Sequence, residues 1–253
     1  MPVFTKQIVA LLLALVVCLT AACGSRVVTD GAALRVGVGE GISGMLMNDV
    51  TDAAGGNGLD IDLQVFVDCC GSAAQWAMNG GELDVGFYCS SISQTLVSHN
   101  SDLEIYGPAV MNSEVIALAD GIDSPTTLAV PLKRSFLTDL IHGTFPSVTE
   151  ILQASPVTLY NALSRSQADG AVMDIAQAIH ASDLVYAPLS GEDYVSYCLV
   201  VRKEIVNTPQ FESFIEQYNL TAEEYNDHGY MENRFGMTNT FWSMINLKFL
   251  HLQ

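Results

Sequence analysis

The chain is 253 residues long, with 28 acidic against 10 basic residues and a formal net charge of −18. This length is sufficient for one or two domains with hydrophobic cores of their own. The acidic balance excludes nucleic acid as a partner, because nucleic-acid binding needs a basic surface. The ordinary consequence of such acidity is solubility.

Residues 1–22 have the features of a signal peptide. A single cation, Lys6, precedes an apolar run over residues 8–19, which is short for a membrane span. The run ends in the letters LTAACGS, which resemble a bacterial lipobox in which Cys23 is lipidated and becomes the first mature residue. Ordinary secretion with cleavage after Ala22 is the alternative. In both cases we expect residues 23–33 to form a tether and the mature protein to lie outside the cytoplasm.

Alternating strands and helices begin at residue 34. Residues 34–38 predict a strand and residues 45–54 a helix, with the letters GEGISG between them. This spacing matches the dinucleotide fingerprint G-x-G-x-x-G, but no acidic residue ends the following strand, so we discount that function. We interpret the glycines as a tight turn that brings backbone N–H groups to a crevice.

The chain is organised around a strand–helix–strand unit over residues 61–88. Its two strands, at 61–67 and 84–88, are predicted to be parallel neighbours joined by a right-handed crossover. Parallel strands end at the same edge of a sheet. The loops with Cys69-Cys70 and Cys89-Ser90 should therefore face one crevice, where α/β sheets bind ligands.

The rest of the chain predicts further elements of the same kind. Capping boxes at residues 72–75 and 91–94 indicate two helix starts. Further strands are predicted over residues 103–106, 108–119, 128–131, 157–159, 170–173 and 194–201. Helices are predicted over residues 73–79, 92–98, 136–142, 161–167, 175–180, 209–218, 222–227 and from 239 onward.

Several segments together resemble extracytoplasmic solute-binding proteins of ABC transporters. They are GSAA at 71–74, NGGELDVGF at 79–87, ADGAVMD at 168–174 and the strand near 194–203. Their order behind a lipobox is similar to that of the nitrate, sulfonate and thiamine-precursor group, the SsuA/THI5-like family, over residues 33–220. The resemblance implies an α/β fold of the type II periplasmic-binding-protein-like kind, with a central mixed sheet in each of two lobes and a two-strand hinge.

Lobe 1 would then comprise residues 34–115 and 199–253, and lobe 2 residues 116–198, with hinge strands near 115–118 and 197–200. The resemblance also implies a lipoprotein that closes around a small solute and delivers it to an ABC transporter permease. We expect a monomer without enzymatic activity or cofactor, anchored to the bacterial membrane through the lipid (palmitate) on Cys23. By position, the ligand-binding candidates are Ser43, Asp68, Cys69, Cys70, Ser72, Cys89, Ser90, Asn112, Arg134, Ser135 and Asp174.

Four cysteines, Cys69, Cys70, Cys89 and Cys198, leave three alternatives open. A Cys70–Cys89 disulfide suits an oxidising compartment and adjacent strand ends. Reduced thiols that pack as small apolar side chains are the second alternative. The third is a soft-metal site formed by these cysteines with nearby methionines. A related alternative function is that of the THI5-like enzymes, which carry a cysteine-rich iron site.

Overall fold

Two mixed β-sheets with helices packed against them make up the described part of the protein. The computed structural model describes residues 32–68, 70–134, 136–181 and 184–253, and residues 33–253 form one compact unit. The strands are β1 (Leu34–Gly39), β2 (Ile61–Phe66), β3 (Val85–Tyr88), β4 (Leu103–Met111), β5 (Glu114–Leu118), β6 (Thr127–Pro131), β7 (Glu150–Ala154), β8 (Gly170–Asp174), β9 (Val185–Pro188), β10 (Val195–Arg202) and β11 (Lys248–Phe249). The helices are α1 (Ile42–Gly56), α2 (Ser72–Gly80), α3 (Ser90–His99), α4 (Phe136–Thr144), α5 (Leu159–Ser164), α6 (Ile175–His180), α7 (Pro209–Tyr225), α8 (His228–Phe235) and α9 (Asn239–Ile245).

The first sheet has the strand order β11-β4-β10-β3-β1-β2, and the second has the order β7-β6-β8-β5-β9. In the first sheet β1 is parallel to both β2 and β3, and in the second β6 is parallel to both β7 and β8. Antiparallel strands complete both sheets. The chain passes from the first sheet to the second between β4 and β5, and returns between β9 and β10.

The hydrophobic pattern explains why each sheet has its own core. In β1 the apolar residues Leu34, Val36 and Val38 are buried, and α1 packs on this side of the first sheet together with α7. In the second sheet, buried residues of β5, β6 and β8 pack against α4. Helix starts are fixed locally: the Thr208 hydroxyl accepts a hydrogen bond from the Phe211 N–H, which stabilises the start of α7.

The expected pairing of the two strands over residues 61–67 and 84–88 is wrong. β1 lies between β2 and β3 and is hydrogen-bonded to both, so the two strands are parallel but are not neighbours. The helix α2 therefore crosses over one intervening strand. Because all three strands share their direction, their carboxyl ends still lie at the same edge of the sheet.

Four local predictions also need correction. The capping boxes do not form, because Gly71 and Cys89 occupy the N-cap positions and neither makes a side-chain cap. The strand predicted over 108–119 is divided between β4 and β5, on two different sheets. The strand predicted over 157–159 is absent, because Pro156 begins a 3-10 turn; the strand of this region is β7. The helices predicted over 209–218 and 222–227 are one helix, α7.

Several predictions concern residues outside the described part of the chain. They are the signal peptide, Cys23, nearly all of the tether, Cys69 and Ser135. Within the described ranges, every helix is too short or too polar to span a lipid bilayer.

Candidate functional site

The two sheets meet at a cavity of about 300 Å³, which we call the cleft. The loops after β1 and β2 and the strand β10 line one side, and the loops after β6, β7 and β8, with α6, line the other. The lining residues are Gly39, Glu40, Gly41, Met45, Val67, Asp68 and Tyr197 from the first sheet, and Arg134, Pro156, Val157, Asp174, Ala176, Gln177 and His180 from the second. The cleft thus lies at the carboxyl ends of the parallel strands of both sheets, the usual ligand position in α/β proteins.

Asp174 links the two sides of the cleft. It ends β8 and caps α6, where its Oδ1 accepts a hydrogen bond from the Ala176 N–H at 2.9 Å. The same oxygen accepts a hydrogen bond of 2.8 Å from the Ile42 N–H, at the start of α1 on the opposite side. The Tyr197 hydroxyl lies 3.4 Å from Oδ2 and donates to it. One carboxylate therefore satisfies donors from both sheets, which stabilises their close approach.

The surroundings of Asp174 raise its pKa from the ordinary 3.8 to about 6. The largest cause is desolvation, which disfavours the charged form, and the negative charge of Glu114 acts in the same direction. The N–H groups of Ala176 and Ile42 and the charge of Arg134 lower the pKa in part. The charge of this carboxyl is consequently sensitive to pH near 6.

The glycines after β1 are required by close approach. A Cβ at position 41 would overlap the Asp174 carboxyl, and a Cβ at position 44 would overlap the backbone oxygen of Gly39. Gly41 therefore lets the two sides of the cleft meet, whereas Gly44 lets α1 start immediately after β1. The glycine spacing that resembles a dinucleotide fingerprint is therefore explained by steric requirements at Gly41 and Gly44.

Behind one wall of the cleft lies a buried ion pair between Arg134 and Glu114. The Glu114 side chain is fully buried, and its Oε2 also accepts hydrogen bonds from the hydroxyls of Ser196 (2.7 Å), Ser113 (3.0 Å) and Tyr194 (3.2 Å). Burial and the charge of Glu114 raise the pKa of Tyr194, so this hydroxyl remains a donor. Both oxygens of the carboxylate thus have partners within the fold, as a buried charge requires.

Tyr197 connects this buried pair with the cleft. Its hydroxyl accepts a hydrogen bond from Arg134 Nη2 at 2.5 Å and donates to Asp174. The side chain of Arg134 lines the cleft, but only 9% of it is exposed. The carboxylate of Glu114, directly behind it, neutralises its charge. Arg134 is therefore poorly placed to act as an unopposed cation toward a ligand.

Three carboxylates line the cleft, those of Glu40, Asp68 and Asp174. The ion pairs that the structure describes involve other acidic residues: Asp84, Glu114, Asp49, Asp193 and Glu223. Asp68 accepts a hydrogen bond from the Cys70 N–H at 3.0 Å, which fixes one of its oxygens. Among the described residues, the cleft carboxylates are therefore without a salt bridge.

Lys133 reaches across the rim of the cleft. Its Nζ donates to Ser72 Oγ, at the start of α2, over 3.4 Å, and this contact is exposed to solvent. The backbone of Lys133 has a φ of 63°, so the turn after β6 adopts a left-handed conformation here. The contact adds a second bridge between the sheets, although solvent screens it.

Cys70, Cys89 and Cys198 lie together in the interior, behind the cleft. The Cys89 N–H donates to Cys70 Sγ at 3.3 Å, and this cysteine pair and desolvation raise the pKa of the Cys89 thiol. Cys198 is also buried, and Cys89 and Cys198 are free thiols. No group of three or more His, Cys, Asp or Glu in the described residues is arranged to hold a metal. Because Cys89 is a free thiol, the structure does not contain the Cys70–Cys89 disulfide considered from the sequence, and the arrangement fits buried reduced cysteines; non-reducing peptide mass mapping would test this.

The predicted site residues fall into two groups. Asp68, Arg134 and Asp174 line the cleft, and Ser72 lies at its rim. Cys70, Cys89, Ser43, Ser90 and Asn112 do not line it. The Asn112 side chain instead holds the crossing between the sheets: it accepts from the Tyr194 N–H and donates to Asp193 and to the backbone oxygen of Asn246. Ser43 is buried in the first turn of α1, and its hydroxyl has no partner among the described residues.

The sequence reasoning missed several lining residues. Gln177 and His180 follow Asp174 at intervals of three, a spacing that would have placed them on the same face of a helix. Tyr197 lies next to Cys198 on β10, and the strand pattern alone does not indicate which of the two faces the cleft, because neighbouring residues of a strand point to opposite faces. Glu40 lies within the glycine turn, where no periodicity indicates its direction.

Comparison with solved structures identifies the fold. The chain resembles a lipoprotein of the YaeC family from Enterococcus faecalis, a pheromone cOB1 precursor, with a TM-score of 0.64, 11% identity and coverage of 87% of this chain and 100% of that one. A putative methionine-binding lipoprotein from Bacillus subtilis gives a TM-score of 0.62 and 10% identity over 87% and 98% of the two chains. A nutrient-binding protein from Burkholderia cenocepacia, bound to methionine, gives a TM-score of 0.59 and 17% identity, with coverage of 81% of this chain and 97% of that one.

These likenesses span the full length of the similar proteins, and at such low identity they show the fold. The α/β architecture with two mixed sheets, of the type II periplasmic-binding-protein-like kind, is thereby confirmed. No protein-family model matches the sequence, and no curated protein matches it either. The fold and the cleft together define the class: a two-sheet α/β protein with a cavity of about 300 Å³ between its sheets.

Proposed function

We propose that this protein is the extracytoplasmic solute-binding lipoprotein of an ABC transporter. The single observation that carries the proposal is the cleft, where loops from both sheets converge and Asp174 connects their opposite sides. A cavity of about 300 Å³ lies at the small end of the range for ligand pockets, so the solute is a small molecule. The names of two similar proteins, a putative methionine-binding lipoprotein and a nutrient-binding protein, support the same role.

The work of such a protein is a change in the population of open and closed forms. A solute that contacts both sides of the cleft binds the closed form more tightly and so shifts the equilibrium toward it. The hydrogen bond from the Ile42 N–H to Asp174 and the rim contact from Lys133 to Ser72 are made only when the two sides are close. The permease would then recognise the closed form, which is the expected partner interaction.

The positions where the chain crosses between the sheets support a hinge. The lobe division predicted at 115/116 and 198/199 stays a prediction, and the strand pairing favours moving each boundary by a few residues. β5 is wholly within the second sheet and β10 wholly within the first, so the crossings comprise residues 112–113 and 189–194. Assignment to the SsuA/THI5-like group also stays a prediction, since two of the three similar structures are named for methionine.

Nothing in the described residues favours the alternative of an enzyme or a soft-metal protein. Cys70, Cys89 and Cys198 are buried behind the cleft and do not line it. The solute-binding role therefore remains the one that the geometry supports best.

Native mass spectrometry of the purified full-length protein tests the proposal directly. We expect a small molecule to be carried through purification, and its removal by unfolding and refolding should lower the melting temperature. Readdition of a ligand at about 100 times its dissociation constant should restore about 2.7 kcal/mol of stability. Absence of any bound molecule, together with no stabilisation across amino acids, amines, sulfonates and pyrimidines, would contradict the proposal.

A pair of glycine variants tests closure of the cleft. Gly41→Ala places a Cβ against the Asp174 carboxyl, so the two sides should meet poorly and affinity for the carried ligand should fall. Gly55→Ala is the matched control, because a Cβ there meets nothing within 4 Å. Equal affinity in the two variants would argue against a ligand-binding role for this contact.

The lipid anchor is tested by Cys23→Ala. We expect the parent protein to incorporate labelled palmitate and to sediment with membranes, and the variant to be unlabelled and released outside the cytoplasm. A variant that still incorporates the label would show that Cys23 is not the anchor.

A further inference from the structure

We propose that the cleft selects a solute with a net positive charge, specifically a small aliphatic amine. This inference rests on the proposed solute-binding function and names the chemical class of the solute. The ligand charge that the walls of the cleft favour depends on how each charged lining residue is already partnered.

The one permanently cationic group among the described lining residues is Arg134, and Glu114 already compensates its charge. Glu114 lies directly behind it in a buried ion pair, and Tyr197 accepts a hydrogen bond from its other terminal nitrogen. A ligand carboxylate at this position would meet Asp174 and Glu114 nearby as well as the guanidinium. An anionic solute would therefore gain little from Arg134 and would be repelled by the neighbouring carboxylates.

The cleft carboxylates, by contrast, form no ion pair among the described residues, although the charge of Arg134 acts on Asp174 through space. Glu40 and Asp68 belong to the first side of the cleft and Asp174 to the second, and the described ion pairs include none of the three. The close approach of Gly41 to Asp174 brings Glu40, its chain neighbour, toward the same region. An ammonium group between the two sides would interact with carboxylates of both and would thus favour the closed form.

The remaining lining residues indicate what surrounds the ammonium group. Met45, Val67, Pro156, Val157 and Ala176 give the cleft an apolar portion that suits a short alkyl chain. Tyr197 is the only aromatic residue in the described lining, so the cleft lacks the aromatic cage that quaternary ammonium groups prefer. A primary ammonium group, which can donate hydrogen bonds to carboxylates, fits this lining better.

The inference also requires a particular pH dependence. The groups that face Asp174 are Glu114, Arg134, Tyr197, Glu40, Asp68 and His180. A bound cation favours the ionised carboxylate, so protonation of Asp174 and ligand binding compete. Amine affinity should consequently be highest above pH 6 and fall as the pH decreases toward 5.

Isothermal titration calorimetry on the full-length protein in detergent, stripped of carried ligand, tests the inference. The probes are 1,5-diaminopentane, pentylamine, 1-pentanol, glutarate and L-methionine, which have similar length and differ in charge. We expect the amines to bind, glutarate and pentanol to give no heat of binding, and amine affinity to weaken with added salt. Binding of glutarate or methionine without binding of either amine would overturn the inference and leave the proposed function intact.

A matched pair of charge variants locates the effect in the cleft. Asp68→Asn keeps the acceptor for the Cys70 N–H but removes a charge, and should weaken amine binding about tenfold. Asp62→Asn removes an exposed charge from β2 outside the cleft and should leave the affinity unchanged. Equal affinities in the two variants would overturn the inference. If none of the five probes binds, the inference is wrong, and the carried ligand found by native mass spectrometry decides separately on the proposed function.

Discussion

The carboxylate of Glu114 and the three carboxylates of the cleft differ in how the fold partners them. Glu114 is fully buried, and an ion pair and three hydroxyls occupy its oxygens. Glu40, Asp68 and Asp174 line the cleft and have no ion pair among the described residues. Glu114 thus has a counter-charge within the fold, whereas the cleft carboxylates have no ion-pair partner among the described residues.

The difference separates a structural charge from a functional one. A buried charge must be compensated from within the fold, because an uncompensated one costs several kcal/mol. A charge at the edge of a cavity can remain hydrated in the open form and can exchange water for a ligand in the closed form. Arg134 and Tyr197 connect the two groups: Arg134 pairs with Glu114 and donates to the Tyr197 hydroxyl, which in turn donates to Asp174.

Glu114→Gln should produce the largest effect on the structural side of this comparison. It leaves the Arg134 guanidinium buried without its counter-charge, and we expect the free energy of unfolding to fall by about 3–5 kcal/mol. Urea unfolding measures the change, with the exposed Glu192→Gln as control, which should stay within about 0.5 kcal/mol of the parent. A loss below 1 kcal/mol would show that the pair is not the structural element described here.

Asp174 provides a pH-dependent test on the cleft side. Its pKa is raised from 3.8 to about 6, so the folded protein binds this proton more tightly than the unfolded chain does. Stability is therefore highest below pH 4 with respect to this group and decreases as the pH rises through 6, by up to about 3 kcal/mol.

Asp174→Asn keeps an acceptor for the Ile42 and Ala176 N–H groups but cannot ionise, so its urea unfolding should lack this decrease between pH 4.5 and 7. Asp62→Asn should retain it. Hydrogen bonds from Thr126 and Thr127 lower the pKa of Asp169 below its ordinary value of 3.8. The stability that Asp169 contributes is therefore lost only as the pH falls below 3.8, which is outside this window. Identical pH profiles for the parent and Asp174→Asn would contradict the description of this carboxyl.

Ser196→Ala should have an intermediate effect on the structural group. The Ser196 hydroxyl donates to Glu114 at 2.7 Å and accepts from the Ser113 N–H at 2.9 Å, and it is buried. Its removal leaves a buried donor and a buried acceptor short of a partner, which should cost about 2 kcal/mol in thermal or urea unfolding. Ser98→Ala on the exposed surface of α3 is the control and should change stability little.

Lys133→Gln should have the smallest effect. The contact of Lys133 with Ser72 is exposed, so its loss should change stability by no more than about 0.5 kcal/mol. The same variant should leave amine affinity nearly unchanged at physiological salt. A loss above 1 kcal/mol would mean that the rim contact, rather than Asp174, holds the two sides together.

The sequence predicted the local elements of the fold well where apolar periodicity is clear. The strand at 34–38, the helix at 175–180 and the strand at 170–173 agree with β1, α6 and β8 to within one residue. Asp174 and Asp68 could be named as cleft candidates because each directly follows a strand, and the loops after parallel strands lie at the same edge. Arg134 could be named for the same reason.

Strand order and side-chain direction needed the tertiary structure. The sequences of β2 and β3 do not indicate that β1 lies between them, because tertiary packing determines which strands pair when they are far apart in the chain. The burial of Cys89 and the exposure of Asp68 to the cleft depend on loop conformations that periodicity does not describe. The neutralisation of Arg134 by Glu114 likewise joins two residues from different strands.

The amino-acid sequence by itself thus determined which segments are strands and helices and which of their ends carry polar groups, because those properties depend on near neighbours along the chain. Only the tertiary structure decided which charges face each other across the cleft and which are compensated behind its wall. Electrostatic compensation acts through space over a few ångströms, and residues such as Ile42 and Asp174 come within that distance only when both sheets have formed.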